Sequence, residues 1–211
     1  MDRVDIKNLS REELGKKLSA LGVPAYRSGQ VFKWLFGNLA PSFDDMTDIP
    51  LDLRTRLKQR FHITHISLLD SRKSMIDGTV KYLFKLEDAG TIEAVFLPEK
   101  DRATVCLSSQ VGFKYACSFC ASAPFGFVRN LKSSEILDQV IYIGKKHHDI
   151  TVTNVVYMGI GEPFDNYDNV MRSVRILNDK SAFNIGARKI TISTCGIIPG
   201  IERLKSEGIQ V

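Results

Sequence analysis

At Thr64 the hydrophobic period of this chain changes from that of helices to that of strands, and beyond Ala103 the two alternate. That alternation constrains the fold most, because strands separated by helical connections pair in parallel and bury their faces under those helices. Ile66 to Leu69, Val80 to Leu86, Thr91 to Pro98 and Ala103 to Leu107 read as strands, with turns at Asp77-Gly78 and Ala89-Gly90. The first three are expected to form an antiparallel extension that feeds the fourth. A helix from about Ser134 to His148 follows, with Ile136, Leu137, Val140, Ile141 and Ile143 as its apolar side. Asn154 to Met158 reads as a strand, Asn166 to Asn178 as a helix, Lys189 to Ser193 as a strand and Ile198 to Glu207 as a helix. Ile209-Gln210-Val211 looks like the start of a fourth parallel strand, so the sheet is expected to have an unpaired edge. In such architectures ligands sit at the carboxyl ends of the strands.

The residues before Thr64 read as three helices. Ser10-Arg11-Glu12-Glu13 has the spacing of a capping box, after which Leu14, Leu18 and Leu21 line one face until Gly22 and Pro24 stop the helix. A second helix, about Ser28 to Gly37, carries Val31, Trp34 and Leu35 on one side. Pro50 suits the first turn of a third, which presents Leu53, Leu57 and Phe61. A single tryptophan on an apolar helical stripe is read as core rather than as a platform for a base.

No stretch approaches the ~20 apolar residues that span a bilayer, and the first residues lack the apolar core of a signal peptide, so a soluble cytoplasmic protein without membrane contact is expected. A formal net charge of +5 suits a polyanionic partner. Basic residues gather at Lys16 and Lys17, at Arg54, Arg56, Lys58 and Arg60, and at Arg72 and Lys73, although a solvated helix face would look the same. Four cysteines do not make a disulfide framework, and metal or redox use is the better reading of the close pair Cys117 and Cys120. A structural zinc site would need a second ligand pair, and a thioredoxin-like dithiol would open a helix directly.

That pair lies in a loop between the Ala103–Leu107 strand and the next helix. The segment Cys106-Leu-Ser-Ser-Gln-Val-Gly112 precedes it and Gly126-Phe-Val-Arg-Asn-Leu131 follows it. The arrangement resembles the radical S-adenosylmethionine (SAM) superfamily, whose loop Cys-x3-Cys-x2-Cys supplies three thiolates to a 4Fe-4S cluster and leaves the fourth iron for S-adenosyl-L-methionine. The flanking segments are similar to those of the adenine-C2 methyltransferases of 23S rRNA and tRNA. Thiolates are soft anionic ligands suited to such clusters. The resemblance implies that Cys117 and Cys120 are cluster ligands, and it puts Phe113, which has no lone pair for iron, at the first cysteine position.

The same resemblance implies the rest of a site. In Gly159-Ile-Gly-Glu-Pro163, Gly161 and Glu162 match the element that binds the SAM amino group, consistent with close backbone approach at glycine and a carboxylate beside an ammonium. Ser193 matches a serine that binds SAM through its hydroxyl. Glu93 matches the proposed proton acceptor near the adenine, and Cys106 the cysteine proposed to resolve a covalent enzyme–RNA adduct through a transient disulfide. Taken alone, these could be a turn glycine, a turn serine, an outward-facing glutamate and a buried thiol.

The expected fold is α/β: an incomplete radical SAM (β/α)6 partial barrel (residues 102–211), preceded by a small helical RNA-binding-like domain (1–63) and an antiparallel β extension (64–101). The implied partners are RNA and an electron donor such as flavodoxin or ferredoxin. Family chemistry also needs a methyl-accepting cysteine near the family's C-terminus, which this sequence does not contain. With Phe113, this leads to the expectation of an inactive member. The alternatives are a non-catalytic RNA-binding module with a vestigial SAM pocket and a Cys-x-x-Cys metal or redox protein.

Overall fold

The computed structural model describes residues 3–115 and 126–211. They form two compact units: Met1–Thr64 with Arg175–Asn184, and His65–Val174 with Ile185–Val211.

In the first unit, β1 (Val4–Asp5) pairs in parallel with β2 (Phe61–His62) and ties the start of the unit to its end. Helix α1 (Arg11–Ser19) opens on the capping box its sequence announces. The Ser10 hydroxyl accepts from the Glu13 amide at 3.1 Å, and the Glu13 carboxylate accepts from the Ser10 amide at 2.7 Å. It packs against α2 (Tyr26–Phe36). Val31, Phe32, Leu35 and Phe36 of α2 are buried, with the Phe32 and Phe36 rings 4.9 Å apart. Trp34 is only half-buried and its indole N–H donates to the Asp48 carboxylate, so it sits at the edge of the core. In α3 (Leu51–Arg60), Pro50 occupies the cap position just outside the first turn, and Leu53 and Leu57 face inward. Phe183, from the returning segment 175–184, lies 6.2 Å from Phe36.

The second unit is built on a six-stranded sheet of β3 (Ser67–Lys73), β4 (Val80–Lys85), β5 (Thr91–Pro98), β6 (Ala103–Cys106), β9 (Asn154–Tyr157) and β10 (Ile190–Ile192), in the order β10-β9-β6-β5-β4-β3. The first four strands are antiparallel, while β6, β9 and β10 are parallel. The extension is thus continuous with the βα sheet. Between β6 and α4 (Ser133–Lys146), β7 (Gln110–Gly112) and β8 (Phe127–Asn130) form an antiparallel ribbon that sequence periodicity did not reveal. After β9 come a short 3-10 turn (Pro163–Asn166) and α5 (Tyr167–Asn178); after β10 comes α6 (Ile198–Leu204). Residues 209–211 belong to no strand, so the expected fourth parallel strand does not form among the described residues.

Side chains alternate across the pleat, and the two faces differ accordingly. Tyr82, Phe84, Ile92, Phe96, Val105, Val155 and Tyr157 are buried. On this face Tyr142 of α4 meets the Phe84 ring edge-on at 5.0 Å, His147 at the end of α4 stacks on Phe96 at 4.0 Å, and the Tyr157 hydroxyl bonds Ser173 of α5 at 2.6 Å. The opposite face carries Leu83, Glu93, Val95, Cys106 and Val156, which are only partly covered.

Candidate functional site

The register decides which candidate residues meet. Cys106 pairs with Val95 on one side and Val156 on the other, Glu93 pairs with Leu83, and Thr191 pairs with Val156. Directly opposed residues point to the same face, as do residues two apart. Glu93 and Cys106 therefore share the less covered face. Ser193 continues it from Thr191, its amide donating to the Tyr157 carbonyl at 3.3 Å.

Glu93 is half-exposed, pairs with Lys81 at 2.7 Å and lines a cleft of about 340 Å³ with Leu83, Val111, Val128 and Ile160. Burial pushes the Cys106 thiol upward in pKa, against a smaller opposite effect of the Met158 amide, so the thiol is protonated at neutral pH. Ser193 and Cys195 are exposed at the end of β10.

The loops at the tips of the parallel strands are stitched together. The Ser108 hydroxyl donates to the Glu93 carbonyl at 2.6 Å and accepts from the Ile160 amide at 2.9 Å. The Ile160 carbonyl receives the amides of Ser109 and Gln110. Gly161 has φ +108°, and a Cβ there would come within 2.6 Å of the Gln110 side chain and 2.7 Å of the Ser109 hydroxyl. A Cβ at Gly159 would come within 2.7 Å of the Leu107 backbone. The close approach that these glycines permit, among the described residues, is to the neighbouring loop.

Comparison with known proteins adds a set of relatives. Residues 4–63 match the family model described as the ribosomal RNA large subunit methyltransferase N-terminal domain. A "Probable dual-specificity RNA methyltransferase RlmN" from Thermotoga maritima is 46% identical over 207 residues, covering 98% of this chain and 60% of the relative. Its namesake from Thermoanaerobacter sp. (strain X514) is 45% identical with the same coverage. A crystal structure of a radical SAM methyltransferase from Sphaerobacter thermophilus superposes with a TM-score of 0.90 at 42% identity, covering 99% of this chain and 62% of that one. Over nearly its whole length the chain is similar to these RlmN methyltransferases. It spans about 60% of the length of the curated RlmN relatives it matches.

Within this RlmN-like chain, Glu162 is placed differently from a side chain that reaches into a pocket. It is 2% exposed, one carboxylate oxygen accepts from the Phe164 amide at 2.9 Å, and the other accepts from the Cys195 amide at 2.7 Å. Its carboxylate thus ties the loop after β9 to the loop after β10. Cys117 and Cys120 lie outside the described residues. The neck of their loop is described: the Phe113 amide donates to the Gly126 carbonyl at 2.8 Å, and the half-exposed Phe113 ring lies 5.8 Å from that of Tyr115. The Tyr115 phenol is pushed up to about 12 by partial desolvation, by a hydrogen bond with Asp165 and by the nearby acidic groups of Cys195 and Glu162. Lys114, next to Tyr115, lies 3.7 Å from the Asp165 carboxylate, so the stem of the cysteine loop runs beside the loop after β9.

Sequence reasoning missed the polar side chains that join these loops, Gln110, Asn130 and Asn166. They stand at the edges of the Cys106–Gly112 and Gly126–Leu131 segments and after Pro163, where no periodicity marks them. The only available signal was the density of amide and hydroxyl residues in segments destined for burial.

Proposed function

We propose that this chain carries the RNA-binding unit and the SAM-binding strand tips of a radical SAM adenine-C2 methyltransferase of 23S rRNA and tRNA, in a form that binds SAM and RNA but does not methylate. The observation that carries the reading is the convergence of Glu93, Cys106 and Ser193 on one sheet face, beside the Gly161 loop and the neck of the Cys117–Cys120 loop. Ser193, exposed at a strand tip, suits a hydroxyl contact to SAM, and the backbone of the Gly161 loop suits its amino group. In this reading Glu162 shapes that loop from beneath, its carboxylate already holding two amides. Glu93 stands where a base proton would be accepted, and Cys106, held protonated, is the reserve thiol for resolving an adduct.

The cluster is the part that the residues do not fit. Cys117 and Cys120 offer two thiolates, and the phenyl ring of Phe113 stands at the neck where the family supplies the third. Carbon and hydrogen donate no electron pair to iron. A bound cluster, fed by flavodoxin or ferredoxin in the cytoplasm, would supply the electron that cleaves SAM, so without it no methylation follows.

Anaerobic reconstitution with iron and sulfide tests the reading. The parent chain is expected to stay nearly colourless, and Phe113→Cys to turn brown with iron and sulfide in equal amounts. An intensely coloured parent that cleaves SAM would refute the inactive reading. A variant with no more iron than the parent would refute the alignment of the loop. Zinc at one per chain would favour the metal-protein alternative instead.

A further inference from the structure

We propose that Gln110 is a positioning residue, which, through Asn130, sets the neck of the cysteine loop in register with the Gly161–Glu162 loop. The inference rests on the functional reading above for what the register serves, and on geometry alone for its existence. Gln110 is fully buried, with 0% exposure. Its Oε1 accepts from the Glu162 amide at 2.9 Å, and its Nε2 donates to Asn130 Oδ1 at 2.7 Å. Asn130 Nδ2 then donates to the Asp165 carbonyl at 3.1 Å.

The orientation of both amides is dictated from the two ends. A backbone N–H can only donate to Oε1, which turns Nε2 toward Asn130. A backbone carbonyl at the far end can only accept, which turns Nδ2 outward and Oδ1 inward. The relay therefore has one satisfied arrangement, and it starts and finishes on the same loop after β9. Its middle lies across β7 and β8, where Gln110 and Asn130 are also ladder partners. A two-stranded ribbon is marginal in water on its own, so its position must come from such anchors. Gln110 also supplies the carbon atoms on which Gly161 rests, with no space for a Cβ between them. From Glu162 the connection passes to the Cys195 amide, so one line of hydrogen bonds joins the cysteine-loop neck to the tips of β9 and β10.

The test uses the full chain with Gln110→Ala, Asn130→Ala and, as a control for general destabilisation, Ser173→Ala, which removes a buried hydrogen bond on the helix-covered face. Amide hydrogen exchange is followed in peptides spanning 110–115 and 158–166. Gln110→Ala is expected to speed exchange in both peptides by about tenfold, beyond any change in Ser173→Ala at matched loss of melting temperature. SAM affinity, by calorimetry, is expected to fall by about tenfold in Gln110→Ala and to hold in Ser173→Ala. Combining Gln110→Ala with Asn130→Ala should add little to either single change, because both cut one relay. Should Gln110→Ala not fold, Asn130→Ala makes the same comparison from the other end. Exchange that rises no more than in Ser173→Ala would overturn the positioning role. A parent chain that binds no SAM would sink the functional reading, while the exchange comparison would still decide the role of Gln110.

Discussion

The Glu162 carboxylate ties the loop after β9 to the loop after β10 through the Phe164 and Cys195 amides. The Gly-x-Gly-Glu-Pro spacing marks a tight loop at a strand end, and the loop is there. Whether the carboxylate turns outward to a ligand or inward to backbone amides depends on the neighbouring loop, which no local pattern encodes. Glu162→Gln leaves a single acceptor oxygen for two amides, those of Phe164 and Cys195. The expected cost is about 1–3 kcal/mol of stability by urea denaturation, with faster amide exchange at Cys195. His147 makes a second prediction at this scale. Its ring bonds the Tyr82 hydroxyl at 2.7 Å and lies against Phe96, and burial lowers its pKa below the ordinary 6.5, with Lys146 and Lys73 acting in the same direction and Asp149 against. The unfolded chain therefore takes up the proton first as pH falls. The contribution of neutral His147 is complete above the unfolded pKa and is lost as pH drops from about 6.5 through the folded value. The size is modest because solvent reaches the ring. Thermal melts at pH 7.5 and 5.5 should show a smaller difference for His147→Gln than for the parent.

At the scale of elements, segments with a clear apolar pattern were readable and the ribbon flanking the cysteine loop was not. Helix α1 follows from its capping box, and the runs behind β4, β5 and β6 follow from alternation that matches a half-covered sheet. Strands β7 (Gln-Val-Gly) and β8 (Phe-Val-Arg-Asn) were invisible because neither shows a run of alternating or β-branched apolar residues, and their pairing depends on side chains elsewhere. Arg129 is one such anchor. Its guanidinium makes a bidentate pair with Glu135 at 2.8 Å on each arm, and its Nε reaches Asp88 at 2.6 Å, so β8 is held between the start of α4 and the turn after β4. The two carboxylates raise the Arg129 pKa further above its ordinary value, so the charge is permanent. Arg129→Ala would leave the buried Glu135 carboxylate without its cation and is expected to cost about 3 kcal/mol, read from the urea midpoint. Arg129→Lys should recover only part of that loss, because an ammonium cannot reproduce the planar fork.

For the whole molecule, the alternation of strands and helices gave the parallel half of the sheet and its antiparallel continuation, while the ending at 209–211 was overread. Three residues with strand propensity make no strand without a ladder partner. Charge is the property that only the division into units makes informative. Residues 1–64 and 175–184 hold 13 Lys and Arg against 9 Asp and Glu, a net +4, and the larger unit holds the remaining 16 against 15. The basic excess is thus concentrated in the unit that matches the methyltransferase N-terminal domain. That unit has a cleft of about 510 Å³ lined by Arg3, Lys17 and Arg60 together with Leu21 and Phe61. If RNA phosphates sit against these cations, binding releases counterions, and affinity must fall as salt rises. For single-stranded RNA the slope of log affinity against log salt changes by about 0.7 per phosphate contact. Lys17→Gln combined with Arg60→Gln is therefore expected to weaken RNA binding across sequences and to flatten that slope by about 1.4. A salt titration by fluorescence anisotropy checks this, and an unchanged slope would move the RNA-binding face away from this cleft.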